Sequence, residues 1–282
     1  MGRVALTDGL ATTRGGSGEP LLLIHGLGSS RTTWDRLRPL LEPHFDLIAV
    51  DLPGFGDQPW LDGGAPGRME SLAGAVEEEL DRLGLERAWI AGNSMGGWIA
   101  LDLARRGRAR GAIGIGPIGG ATPEEARRSH RILVMNRRSA KLFAPVAGAV
   151  ARFAPLRWAG FISVVSDPLD VRPEDAANSV RHMAACEGFE HLIDDVAGGG
   201  DLIESNRDRF SAIGCPVLIA FGSRDHILDP RGGVRLAEAI PTAEHRELVG
   251  LGHAPQLDHP ELTADMVLAA LRRWGAEVPA DG

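Results

Sequence analysis

Ser94 stands in Gly92-Asn93-Ser94-Met95-Gly96, a G-x-S-x-G pattern that could supply a nucleophile. The apolar run 88–91 before it reads as a buried strand, and the apolar spacing after it reads as a helix, which puts Ser94 at a sharp strand-to-helix turn. Such a turn needs a strained backbone, and the flanking glycines remove side chains that would clash there, so the hydroxyl can project above a sheet. The competing reading is a structural turn in a glycine-rich chain.

A serine hydroxyl is a weak nucleophile at neutral pH and needs a base within hydrogen-bond reach. The base in turn needs a carboxylate to fix its tautomer. Nine histidines are available. His253, in Gly252-His253-Ala254-Pro255, follows the expected strand 244–249 and so falls at a strand's carboxyl end. His25 also ends a strand, but with Gly26 after it the residue reads as a brace for the loop. The other seven have no comparable setting and are expected at the surface. Asp225 follows the expected strand 217–221 through Gly222-Ser223-Arg224 and serves as the acid. Asp229, its nearest rival, precedes Pro230 and reads as the start of a helix. Acyl chemistry also needs two backbone donors for the developing oxyanion. The amides of Met95, at the helix start, and of Leu27, in His25-Gly26-Leu27-Gly28, are assigned to it, with both side chains expected on the pocket floor.

The elements that must position these groups are short apolar runs at 21–24, 47–50, 88–91, 112–115 and 217–221, bounded by Gly, Pro or Asp and not alternating. Helical patterns at 71–83 and 97–106 lie between them. Strand, helix and strand in succession imply an α/β architecture with a parallel sheet and a site at the strands' carboxyl ends. The interval from Ile115 to Val217 is far longer than the roughly 30 residues a crossover needs. The surplus, 118–199, carries amphipathic stretches at 132–143 and 176–185 and is expected to form a helical lid (cap) domain, with a second packing layer as the plainer alternative. Residues 1–117 and 200–282 then form the core domain, and Gly198-Gly199-Gly200 reads as a hinge or turn. Within the insert, Met135, Phe143, Phe153, Trp158 and Phe161 could line a pocket or pack the insert's own core.

Composition narrows the function. The chain has 282 residues, 44% of them apolar, and a net charge of −8 with no basic stripe, so no nucleic-acid partner is expected. The first ten residues do not resemble a signal peptide, and no stretch is long and apolar enough to span a bilayer. A cytoplasmic protein with no membrane partner is expected. Two cysteines are too few for a disulfide framework or a thiolate metal site. Tyrosine is absent, which excludes any mechanism that needs a phenol.

Together, His25-Gly26-Leu27-Gly28, Asp51-Leu52-Pro53-Gly54-Phe55-Gly56, the serine turn, Gly222-Ser223-Arg224-Asp225 and Gly252-His253-Ala254-Pro255 resemble the α/β-hydrolase family. The order Ser94, Asp225, His253 is that family's order. The resemblance implies an eight-stranded, mostly parallel sheet, an inserted helical lid and no cofactor or metal. Asp51 is read as holding its turn. Family branches with aspartate at the elbow, the haloalkane dehalogenases and epoxide hydrolases, do not match Ser94, and the lid tyrosines common in the latter are missing.

Three functions follow. The first is a serine esterase acting on small to medium carboxylic esters, with a small-molecule acyl substrate as its partner. The second is a carbon–carbon hydrolase of ring-fission (meta-cleavage) products, whose enzymes the elbow also resembles. Those enzymes typically carry Trp where this chain has Ala254, and their substrates would need a cationic lid residue, for which Arg127, Arg128, Arg131, Arg137, Arg138, Arg152 and Arg157 are candidates. The third is a ligand receptor that retains the triad without turnover. Oligomeric state is left open.

Overall fold

In the computed structural model, residues 9–60, 69–197 and 207–278 are described. Seven strands form one sheet: β1 (Thr12–Gly15), β2 (Glu19–Ile24), β3 (Phe45–Val50), β4 (Ala88–Asn93), β5 (Ala109–Ile115), β6 (Val217–Gly222) and β7 (Ala243–Leu248). Their spatial order is β1-β3-β2-β4-β5-β6-β7. All neighbours are parallel except β1, which pairs antiparallel with β3. Among the described residues the sheet therefore has seven strands, where eight were expected. β1 was not foreseen because Thr-Thr-Arg-Gly has no apolar run. At the opposite edge, β7 shows solvent a row of polar and charged residues, Glu244 to Glu247, which discourages further strand pairing.

The central strands are buried on both faces, which is why they read as unbroken apolar runs. The helices are α1 (Arg38–Leu41), α2 (Met69–Arg82), α3 (Met95–Arg105), α4 (Pro123–Phe143), α5 (Ala147–Arg152), α6 (Ala154–Phe161), α7 (Pro173–Ala185), α8 (Phe189–Ala197), α9 (Arg231–Glu238), α10 (Pro255–Asp258) and α11 (Pro260–Arg273). Leu72, Val76 and Leu80 turn one face of α2 onto the sheet and are fully buried, each adding about 1.5–3 kcal/mol of hydrophobic stabilisation. One core cluster gathers α2, α3 and residues of α8 on one side of the sheet, and a second packs α1 and α11 on the other.

Between β5 and β6 the insert folds as α4 to α8. Helix α4 begins nine residues before the stretch read at 132, because Thr122 and Glu125 form a reciprocal capping box and Pro123 opens the first turn. The insert has its own apolar cluster, built on Ala151, Phe161, Val165 and Ala176, which also takes in Ala254 and Leu257 from beyond β7. The insert therefore packs directly on the segment that carries His253. The expected hinge at Gly198-Gly199-Gly200 lies outside the described residues.

Candidate active site

Ser94 follows β4 and precedes the first residue of α3. Its φ of 58° makes it the only non-glycine residue with positive φ among the described residues. Such strain costs of order 1–3 kcal/mol and persists only where the surroundings fix it. Here the Ser94 N–H donates to the Ile115 carbonyl (2.9 Å), and the Ser94 carbonyl accepts from Trp98 (3.2 Å) and Ile118 (3.3 Å). The glycines are required sterically. A Cβ on Gly92 would stand 2.2 Å from the Gly96 oxygen, and one on Gly96 would stand 2.2 Å from the Ile24 oxygen.

His253 and Asp225 are both buried and joined, with Nδ1 at 2.6 Å from Oδ2. The other carboxylate oxygen of Asp225 accepts from the N–H groups of Ile227 (2.9 Å) and Leu228 (2.8 Å), which fixes the plane of the group. With Nδ1 engaged, Nε2 is the free ring nitrogen. Ser94 and His253 line the same cavity, although the Ser94 hydroxyl makes no hydrogen bond to a described residue. Asp229 bonds instead to the Arg231 side chain (2.7 Å) and backbone (2.9 Å) at the start of α9, a helix-end role.

Of the two amides assigned to the oxyanion, that of Met95 directly follows Ser94 and that of Leu27 belongs to a residue lining the same cavity as Ser94. Met95 opens α3, so its N–H has no intrahelical carbonyl. The Leu27 amide lies in the turn after β2, and no backbone carbonyl among the described residues accepts from it. Leu27 lines the cavity; the Met95 side chain does not, because it is fully buried within the apolar core. The expectation that both side chains form the pocket floor is corrected on that point.

His25 acts as a brace. Its Nε2 accepts from the Leu52 N–H (3.1 Å), so Nδ1 carries the proton and donates to the Gly26 carbonyl (2.8 Å). Complete burial pushes its pKa below the ordinary value. Asp51 holds the neighbouring turns through the Arg31 N–H (2.6 Å), the Asp57 N–H (2.9 Å) and an ion pair with the Arg31 guanidinium.

The cavity has a volume of about 540 Å³ and lies between the strand ends and the insert. That is within the usual range for small-molecule sites. Met135, Phe143 and Phe161 line it, whereas Phe153 and Trp158 are exposed and outside its wall. Of the seven candidate arginines only Arg157 reaches the wall, and its guanidinium is tied to the carbonyls of Ala151 (2.6 Å) and Leu169 (3.4 Å). Arg137 is buried against Glu190 and the Cys186 carbonyl. Among the described residues, one cluster has metal-ligand types in reach of one another, Asp167, Asp258 and His259, and it lies outside the cavity. The Asp258 oxygen facing that cluster already accepts from Ser166 N–H (2.9 Å), Ser166 Oγ (2.8 Å) and Asp167 N–H (3.0 Å).

Three residues of the site were not picked out from sequence. The Asn93 side-chain amide donates to the carbonyls of Ile115 (3.0 Å) and His253 (2.9 Å). Its Oδ1 accepts from Gln256 (3.2 Å), which extends toward Thr33 (3.4 Å). Gly116, at φ 53°, leaves room for the Asp225–His253 hydrogen bond: a Cβ there would stand 3.2 Å from His253 Nδ1. Asn93 sits inside the serine motif, which was the only available signal.

The profile of the "Alpha/beta hydrolase family" matches residues 21–266. The chain is 28% identical over 214 residues to "Epoxide hydrolase EphH" of Mycobacterium tuberculosis, covering 74% of this chain and 97% of that protein. It is 26% identical over 266 residues to "2-hydroxy-6-oxononadienedioate/2-hydroxy-6-oxononatrienedioate hydrolase 2" of Pseudomonas putida, covering 92% and 89% of the two chains. Among solved structures it resembles a thermophilic esterase from Thermogutta terrifontis, with a TM-score of 0.73, 27% identity and coverage of 96% and 97%. With its serine turn, its sheet and its inserted helices matched over most of its length, this chain belongs to the alpha/beta hydrolase family.

Proposed function

We propose that the protein is a serine hydrolase of small to medium carboxylic esters, with Ser94 as nucleophile, His253 as base, Asp225 as its orienting acid, and the Leu27 and Met95 amides as oxyanion donors. The observation that carries the reading is the Asp225–His253 pair, which leaves Nε2 of His253 as the free ring nitrogen in a residue that shares its cavity with the strained Ser94. Ser94 Oγ bonds to the acyl carbon while its proton passes to His253 Nε2. That proton then goes to the leaving alcohol oxygen. Water, deprotonated by His253, attacks the acyl-enzyme, releasing the acid and restoring the serine hydroxyl. The Ser94–His253 contact of such a mechanism commonly tightens only when substrate is bound.

The mostly apolar wall suits an uncharged acyl or alcohol group better than a dicarboxylate, since its one guanidinium is already engaged by two backbone carbonyls. The similarity to a 2-hydroxy-6-oxononadienedioate hydrolase favours carbon–carbon cleavage by the same residues as a second reading. Epoxide opening, named for one relative, is not adopted here: the elbow carries Ser94 where an aspartate nucleophile would stand, and the chain has no tyrosine. The insert is read as a lid over the cavity. Hydrolysis of short-chain p-nitrophenyl esters by the wild type, lost in Ser94→Ala, is the expected result. Turnover that survives Ser94→Ala sinks the nucleophile assignment. Cleavage of a ring-fission diketone beside negligible ester hydrolysis selects the second reading, and binding without any turnover points to a receptor.

A further inference from the structure

The insert carries charge and apolar surface in an arrangement that ester hydrolysis does not require. Residues 126–166 contain eight basic residues and no acidic one, in a chain of net charge −8. Two of the eight turn inward or sideways onto Glu190, namely Arg137 and Lys141. Arg127, Arg128, Arg131 and Arg138 are exposed and pair with no described acidic residue. On α4, at 100° per residue, these four arginines share an arc of about 100° with Met135 and Leu142. Met135 is 66% exposed and Leu142 72%.

Apolar exposure is concentrated in the same segment of the chain. Of the twelve large apolar side chains exposed among the described residues, nine lie between Met135 and Leu169, including Phe153 and Trp158. Large apolar side chains exposed together in one segment mark a place that something covers. It is also continuous with the cavity, because Met135, Phe143 and Leu156 are exposed and line its wall.

We propose that this face docks on an anionic lipid surface, with the arginines at the headgroups, Leu142, Phe153 and Trp158 entering the acyl boundary, and the cavity mouth toward the bilayer. Arginine and apolar residues sharing one helix face fit a headgroup–acyl boundary, where both kinds of group find partners within a few ångströms. An acidic protein would satisfy the guanidiniums but would leave the protruding apolar side chains without hydrocarbon. A second copy would set one basic face against another. Among the described residues no helix is long and apolar enough to cross a membrane, and adsorption needs none. The sequence expectation of no membrane partner rested on the lack of a signal peptide and of spanning segments, neither of which registers a local basic face. Docking is independent of the ester reading, so the two can fail separately.

The test is co-sedimentation of the full chain with vesicles of phosphatidylcholine alone and of phosphatidylcholine mixed with phosphatidylglycerol. Binding to the anionic vesicles is expected to exceed that to neutral ones by ~10-fold and to be lost at about 0.5 M salt. It should fall by a similar factor in the combined Arg127→Gln, Arg128→Gln, Arg131→Gln, Arg138→Gln variant and in Leu142→Ser, Phe153→Ser. None of these residues lines the cavity, so both variants should keep wild-type turnover of a water-soluble ester. Brominated phosphatidylglycerol should quench tryptophan emission of the wild type, less so in Trp158→Leu. No binding to anionic vesicles, equal binding to neutral ones, or binding indifferent to the arginine changes overturns the proposal. So does a vesicle-silent protein that self-associates through this face or captures an acidic protein.

Discussion

The side-chain amide of Asn93 donates to the backbone carbonyl of His253, 160 positions further along the chain. The residue just before the proposed nucleophile thus holds the loop of the proposed base. Its orientation is determined: two carbonyls, of His253 and Ile115, fix the NH₂, which leaves Oδ1 to Gln256. Asn93→Ala removes this link without touching either reacting group. We expect kcat to fall ~10- to 100-fold with KM changed little, since small misplacement of a catalytic group is costly. Asn93→Asp should be worse, because it sets a carboxylate against two carbonyls. Steady-state kinetics on a p-nitrophenyl ester decides it, and an unchanged kcat in Asn93→Ala refutes the positioning role.

Two glycines should respond in opposite directions to alanine. At Gly96 a Cβ would meet the backbone oxygens of Ile24 at 2.2 Å and His25 at 2.5 Å, neither of which can swing away. Gly96→Ala should cost at least ~3 kcal/mol, at the upper end of overpacking effects, or prevent folding. Gly74, inside α2, has nothing within 4 Å of the position a Cβ would take. Gly74→Ala should therefore stabilise by about 0.5–1 kcal/mol through helix propensity. Urea unfolding of the two variants beside the wild type checks both signs.

How much of this was legible in sequence depended on the range of the interaction. The central strands could be read because burial on both faces leaves an apolar run, and Ser94 and Asp225 could be proposed because each follows such a run at its carboxyl end, whereas His253 follows the polar edge strand β7 and was proposed from its glycine-flanked loop. β1 could not be read, since four polar and small residues become a strand only by pairing with β3. Asn93 and Gln256 were invisible for a related reason: their partners lie far away in the chain, and an amide in a loop has no periodicity to betray it. Seven arginines of the insert could be named as cationic candidates, but which of them faces the cavity depended on how the insert's helices rotate against the core, and of the seven only Arg157 does.

The two thiols should be inert in the folded protein. Burial pushes the Cys186 thiol up to about 11 and raises that of Cys215 as well. The thiolate is the reactive form, so little of it is present near neutral pH. Reaction with Ellman's reagent at neutral pH is expected to be slow for the native chain and complete for two thiols once it is unfolded in guanidinium. Rapid native modification of Cys186 would contradict its burial beneath Arg137.

Acid should destabilise the fold through His25 before the carboxylates titrate. Both ring nitrogens are used in the neutral tautomer, and a second proton on Nε2 would face the Leu52 N–H, donor against donor. Desolvation places the folded pKa below the ordinary 6.5, and His182 is shifted in the same direction by burial. The unfolded chain therefore binds more protons below that value. The stability contributed by neutral His25 is fully present above about pH 6.5 and is lost as pH falls toward the lower folded pKa, with a slope of at most ~1.4 kcal/mol per pH unit per group. Urea unfolding at about pH 7.5, 6.5 and 5.5 should show a falling midpoint. His25→Gln, which can still accept from Leu52, should lower stability at neutral pH and flatten the dependence between the two lower values. A midpoint that holds or rises on acidification would mean that His25 is accommodated as an imidazolium, with the loop that carries Leu27 reorganised around it.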